Sequence, residues 1–275
     1  MVGQRVHRRP DFELYDAAGP WRARSTVSSL ALTHVLVGMV GGALLGSTST
    51  ALSYRLPRSL AVVWDRSICP HCGTQLRAIE NVPVVSYLLL RGRCGHCHTK
   101  ISIRYVITEI SFAVVYAMIT LRHGLTLVTL ELWVTLFVAL TSAVIDLEWK
   151  KIPNRLTYPA SVLLLLLAVV QSFRSGVHVL IDTVVVGVAV FAAFYCVNRV
   201  THGGFGLGDA KLAAVAAMAL ISFGLAAVLD FLMVAFVLGG GVGVGLLLSG
   251  RKGRKETMPF GPFLAVGFVL VALVI

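Results

Sequence analysis

Eight apolar runs, most of them long enough to cross a bilayer, divide this chain and leave few hydrophilic gaps of any length. They lie at about 30–52, 105–121, 125–145, 157–173, 177–198, 210–223, 226–248 and 259–275. A helix crossing the hydrocarbon core needs ~17–25 mostly apolar residues. The sixth run is short, and Ser222-Phe223-Gly224 is where it parts from the seventh. A single helix across both would be too long for any bilayer. Of the 275 residues, 57% are hydrophobic and only 13% charged, against about 25% charged in ordinary soluble domains. The expected fold is an all-α polytopic membrane protein of about eight transmembrane helices.

The net charge of +11 has to be read against that pattern. Seventeen of the 24 Lys and Arg fall on one side: in 53–104, in 146–156, at Arg199 with Lys211, and in 251–255. The other side holds seven, five of them in the N-terminal tail. The richer side is expected in the cytoplasm, with the N-terminus outside. The basic balance therefore points to membrane topology and lipid, not to nucleic acid. The run Arg251 to Lys255 reads as an anchor near anionic lipid. Asp11, Glu13 and Asp16 spoil the tail as a cleavable signal. The expected organisation is an extramembrane extension at 1–28, a first transmembrane helix at 29–52, a cytoplasmic module at 53–104 and a membrane core at 105–275.

The module carries Cys69-Pro70-His71-Cys72 and Cys94-Gly95-His96-Cys97, a C-x2-C-x21-C-x2-C pattern. Two such knuckles supply four thiolates, the donor set of a structural Zn²⁺ with no coordination position left for water. About 50 residues make a marginal hydrophobic core, so a metal staple has a physical purpose. His71, His96 and His98 are alternative ligands. Disulfides would suit an oxidising compartment, which the charge count argues against. A redox role would need a βαβ context that is missing. Cys196, alone in an apolar run, reads as a small core hydrophobe.

Acids in or beside spans are costly to insert and point to function. Six occur here: Glu109, Glu131, Asp146, Asp182, Asp209 and Asp230. Asp146 ends the third run, shortly before Pro153, and Asp209 follows glycines at 203, 204, 206 and 208. Such glycines permit irregular backbone at membrane depth where it lines protein or a wet cavity. Both aspartates are expected at the cytoplasmic edge. Two facing carboxyls cannot both ionise, so one acts as base towards a water while the other donates to the developing oxyanion. Either aspartate alone also reads as a helix cap. Asp182 and Asp230 read as inter-helix contacts. Lys211 reads either as a partner of the pair or as a snorkelling lysine.

With these motifs in place, the sequence resembles the type IV prepilin peptidases, leader peptidases of pili and type II secretion. The resemblance runs from about residue 38 to the end. It rests on Gly46-Ser47, Tyr54-Arg55-Leu56-Pro57, the stretch Asn81 to Leu88 between the cysteine pairs, and Ile103-Arg104-Tyr105 with Glu109. It continues through Asp146 with Ile152-Pro153-Asn154, then Gly206-Leu207-Gly208-Asp209-Ala210-Lys211, and Pro259-Phe260-Gly261-Pro262-Phe263. The resemblance implies that Asp146 and Asp209 are the catalytic pair, with Gly206, Gly208 and Lys211 in support. It implies that Cys69, Cys72, Cys94 and Cys97 bind zinc in a bacterial inner-membrane enzyme. The implied substrate is a prepilin or pseudopilin with a short basic leader ahead of an apolar helix, cut just after a glycine on the cytoplasmic side. Many members also methylate the new N-terminus with S-adenosylmethionine. Thr48 and Thr50 stand where the family commonly has Phe and Asn, which bears on that second activity. Glu148 is a reserve carboxylate, ranked below Asp146.

Three other readings fit the residues less well. The glycines at 239–245 lack nucleotide-loop spacing and read as close helix packing through Gly239/Gly243 and Gly241/Gly245. A presenilin-like protease would carry Tyr-Asp and Pro-Ala-Leu, where this chain has Ile145-Asp146 and no such tripeptide. A transporter would show inverted repeats, and none is evident.

Overall fold

A computed structural model describes residues 20–60, 68–69, 71–201, 205–249 and 258–275. The tail to residue 19, Pro70, Gly203, Gly204 and the basic run at 251–255 lie outside the described residues. The chain forms α1 (Pro20–Arg55), α2 (Val85–Leu89), α3 (Ile103–His123), α4 (Leu127–Trp149) and α5 (Asn154–Ser175). It continues with α6 (His178–Val200), α7 (Leu207–Leu220), α8 (Leu225–Leu248) and α9 (Gly261–Val274). Among the described residues, the only extended pairing is two isolated bridges in the cysteine module.

Every expected run is a helix, but they are not alike. Six are long and apolar enough to cross a membrane: the Ser29–Arg55 part of α1, then α3, α4, α5, α6 and α8. Helices α7 and α9 have 14 residues each, about 21 Å at 1.5 Å per residue, against a hydrocarbon core of ~30 Å. The physical reason is plainest for α7. From Ala210 to Leu220 every side chain except Lys211 is buried, among α4, α5, α6, α8 and α9. A helix shielded from lipid by protein need not match the bilayer. Its run of alanines lets the surrounding helices close on it. The corner after α7 falls at the expected place, with Gly224 at φ +100°, a conformation L side chains rarely adopt.

The first helix packs on α3 through a glycine ladder. Built onto Gly38, Gly42 and Gly46, a Cβ would lie 2.6 Å from Ala117 Cα, 2.6 Å from Phe112 O and 2.9 Å from Glu109 Cα. Three glycines at four-residue spacing thus bring the two backbones together, as small residues do in membrane bundles. The glycines of α8 do not. Gly239 faces the Phe260 ring, Gly243 reaches only Met258, and Gly241 and Gly245 meet nothing within 4 Å. The packing expected at 239–245 is therefore corrected to contacts of Gly239 with the rings of Phe260 and Phe263. Gly42→Ala is expected to destabilise the protein by about 1–3 kcal/mol, and Gly241→Ala to leave it unchanged. Thermal unfolding of the two variants in detergent checks this.

Polar contacts fix the rest. At the end of α4 remote from Asp146, buried Glu131 accepts from Gln171 Nε2 at 2.6 Å and Ser222 Oγ at 2.9 Å. That joins α4 to α5 and to the α7–α8 corner. Asp182 and Asp230, expected at inter-helix contacts, are exposed, and so is Cys196, expected in the core.

Candidate active site and metal centre

The sulfur atoms of Cys69, Cys72, Cys94 and Cys97 all lie within 4.8 Å of one another, and the four thiols are free. Cys69 and Cys97 are 3.9 Å apart. A tetrahedron with arms of ~2.3 Å has edges of about 3.8 Å, so the donor set fits zinc. The two knuckles are one design used twice. Cys69 N–H donates to Thr74 O and Cys94 N–H to Thr99 O, both at 2.9 Å. Thr74 Oγ1 lies 3.3 Å from Cys72 Sγ, and Thr99 Oγ1 lies 3.3 Å from Cys97 Sγ. These threonine contacts hold the Cys72 and Cys97 thiols below their ordinary range, favouring the thiolates a metal needs. Among the described residues no histidine joins the cluster; His96 sits 3.9 Å from Glu80 instead.

The module is tied to the membrane helices at Glu109. This buried carboxylate accepts from Val84 N–H at 2.8 Å and is hydrogen-bonded by Ser47. Three motifs far apart in sequence, at 46–47, 81–88 and 109, therefore meet at one point.

Asp146 occupies the last turn of α4 and is 5% exposed. Its Oδ2 accepts from Gly261 N–H at 2.9 Å, so the carboxylate sits at the first residue of α9. A Cβ on Gly261 would lie 3.0 Å from that oxygen. Asp209 lies in the first turn of α7, its carboxylate folded back so that a Cβ on Gly206 would lie 2.6 Å from Oδ2. The Gly206 amide is its backbone hydrogen-bond partner, and the two aspartates lie within electrostatic reach of each other. Each acid is thus held by the N-terminal amides of a short helix, where anions are favoured. The short helices begin at the site because they frame it.

The loops around the pair are pinned. A Cβ on Gly208 would lie 2.9 Å from Ile152 Cβ, so the loop before α5 and the start of α7 touch. Lys211 Nζ donates to Asn154 Oδ1 at 2.8 Å and sits 5.1 Å from the Tyr158 ring centroid. The lysine thus ties the two motifs together. Phe205 packs edge-on against Phe260 with ring centroids 4.9 Å apart, and Asn198 Nδ2 donates to Phe205 O. The loop leading to Asp209 is thereby locked to the loop leading to Gly261. Glu148 is half-exposed and paired with Arg104, facing away from the pair. Two residues on a helix point about 200° apart. Ser142, one turn before Asp146, and Thr157 are buried hydroxyls with no partner among the described residues; such groups ordinarily bond water.

The chain is similar to known proteins over most of its length. Residues 40–123 match the bacterial peptidase A24 N-terminal domain, and residues 133–244 match the type IV leader peptidase family. The chain is 31% identical to a prepilin leader peptidase/N-methyltransferase of Bacillus subtilis, over 84% of this chain and 91% of that protein. It is 32% identical to one from Burkholderia pseudomallei, over 91% and 88%. It is 33% identical to one from Pseudomonas putida, over 86% and 90%. No solved structure matches. Similarity of this extent, over nearly the whole of both partners, means that the chain belongs to the type IV leader peptidase family.

Proposed function

We propose that the chain is an aspartyl endopeptidase of the bacterial inner membrane, with Asp146 and Asp209 as its catalytic pair. It removes the short basic leader of prepilins or pseudopilins at the cytoplasmic face. The observation that carries the reading is the placement of two carboxyls from separate helices at the starts of α9 and α7, within electrostatic reach. One carboxylate takes a proton from a water between them, and the resulting hydroxide attacks the scissile carbonyl carbon. The other carboxyl donates its proton towards the developing oxyanion. Collapse of the tetrahedral intermediate breaks the C–N bond, and the new amine takes up the proton that the first carboxylate had accepted. Gly206 leaves room for the folded-back Asp209 carboxylate and Gly208 for Ile152, and Lys211 with Asn154 holds the start of α7 against α5. The metal of the thiolate cluster is zinc in a structural role, holding the cytoplasmic module together.

Methyl transfer from S-adenosylmethionine to the new N-terminus is a second activity suggested by the relatives' name. At the departure from the family pattern, Thr48 and Thr50 give their hydroxyls to Leu44 O and Ser47 O of their own helix.

Purified protein incubated with a prepilin-type substrate and S-adenosylmethionine separates the two activities through the N-terminal mass of the product. The expected product begins directly after the leader's glycine, and an added methyl group reports transfer. Intact substrate, or a cut elsewhere, overturns the peptidase reading. Gly261→Ala is expected to lower kcat about tenfold while leaving protein levels normal, because the added Cβ displaces the Asp146 carboxylate by a few tenths of an ångström. Steady-state kinetics beside immunoblotting checks it.

A further inference from the structure

One face of the bundle is open. Helices α1 and α5 both pack on α4 and, among the described residues, touch each other marginally at most, and the space between holds two cavities. The first, about 950 Å³, lies between Leu44 and Leu52 of α1, Phe137 of α4, and Arg155 and Leu163 of α5. The second, about 690 Å³, reaches Gln171 and Arg174 at the other end of α5. Leu130 and Trp133 line both, so the two adjoin end to end along α4 and together make a cleft with that helix as its floor. Trp133 is held in place: its Nε1 donates to Thr120 Oγ1 at 3.1 Å, and its ring fills the space beside Gly41. Leu44 and Leu163 on the walls are 56% and 42% exposed.

Three properties identify an occupant. From Arg155 to Arg174 the cleft follows almost the whole of α5, about 28 Å at 1.5 Å per residue, close to the ~30 Å hydrocarbon thickness. A phospholipid acyl chain fills one leaflet; a helix fills this length. The half of the cleft from Arg155 to Trp133 is lined otherwise by apolar side chains, and Thr126, Thr129 and Gln171 join them only towards Arg174. Its Arg155 end adjoins Asn154, whose side chain is bonded to Lys211 beside Asp209, and its floor is the helix that carries Asp146. We propose that this cleft is the docking groove for the apolar helix of the substrate, entered sideways from the bilayer, with the segment preceding that helix delivered to the aspartates. The inference rests on the peptidase reading and extends it to how the substrate is held.

A photo-crosslinking residue placed at Leu44 or Leu163, with Asp146→Asn added to retain intact substrate, tests the groove. Val188, on the exposed face of α6, is the control. Substrate adducts are expected at Leu44 and Leu163 and not at Val188. Leu163→Trp, which narrows the cleft in otherwise unaltered enzyme, is expected to lower kcat/KM at least tenfold, chiefly through KM, whereas Val188→Trp changes neither. Adducts at Val188 equal to those in the cleft, adducts to lipid alone, or unchanged kinetics in Leu163→Trp would overturn the groove. A wild-type enzyme that fails to cut the same substrate would instead overturn the peptidase reading.

Discussion

Asp146→Asn and Asp209→Asn each lose at least about 10³-fold in substrate cleavage while the protein still folds and inserts. A positioned general acid or base contributes ~10²–10⁴-fold, and residues acting as one unit fail together when either is removed. Asparagine keeps the shape of aspartate, so the Gly261 N–H bond to residue 146 and the turn at Gly206 lose a charge and little else. Neither variant therefore has reason to unfold. Quantified product from purified protein, beside a membrane-insertion assay, checks both halves. Normal processing by either variant would remove its aspartate from the mechanism.

The second large effect is expected at the cysteines. Replacing Cys72 with Ser, or stripping the metal with a chelator, unfolds the 53–104 module. Apparent zinc-binding energies in small metal-folded domains are about 10–16 kcal/mol, and in such domains binding energy is folding energy. Among the described residues of the module the polypeptide scaffold is thin: two bridges, one short helix and a 3₁₀ turn. Loss of the fold also frees Val84, and with it the hydrogen bond that fixes Glu109 to the module. Protein abundance should fall several-fold, with rapid proteolysis within the module. Metal analysis should find one zinc per chain in the wild type and almost none in the variant. A stable, metal-free Cys72→Ser protein with full activity would refute a structural metal.

The parts legible in the sequence are those written in local spacing. Apolar runs mark α1 and α3 to α9 because a bilayer imposes a polarity on them, and a length on the six that are long enough to cross it. The paired C-x2-C motifs mark the metal cluster because each knuckle is built within a few residues, as the matched threonine contacts show. What local spacing does not carry is which surfaces meet. The glycines of α8 have the spacing of a packing face yet mostly look outward, whereas Gly38, Gly42 and Gly46 carry the same spacing and make the closest helix contact. Sequence period tells which residues share a face and leaves open what that face touches. Gly261 is of the same kind. Its motif was visible, but its role became evident only when its amide was found against Asp146, far away in the chain. Likewise α7 reads as a short span, and only its enclosure by five other helices explains why it can be short.

Whether the two aspartates act as a single device is read from a double-variant comparison. Residual single-turnover cleavage is measured for Asp146→Asn, Asp209→Asn and the protein carrying both changes. If one water is worked by both carboxyls, the double variant is no slower than the slower single one, because the unit is already broken. If the two losses multiply, the side chains act independently, and the shared site described above is wrong.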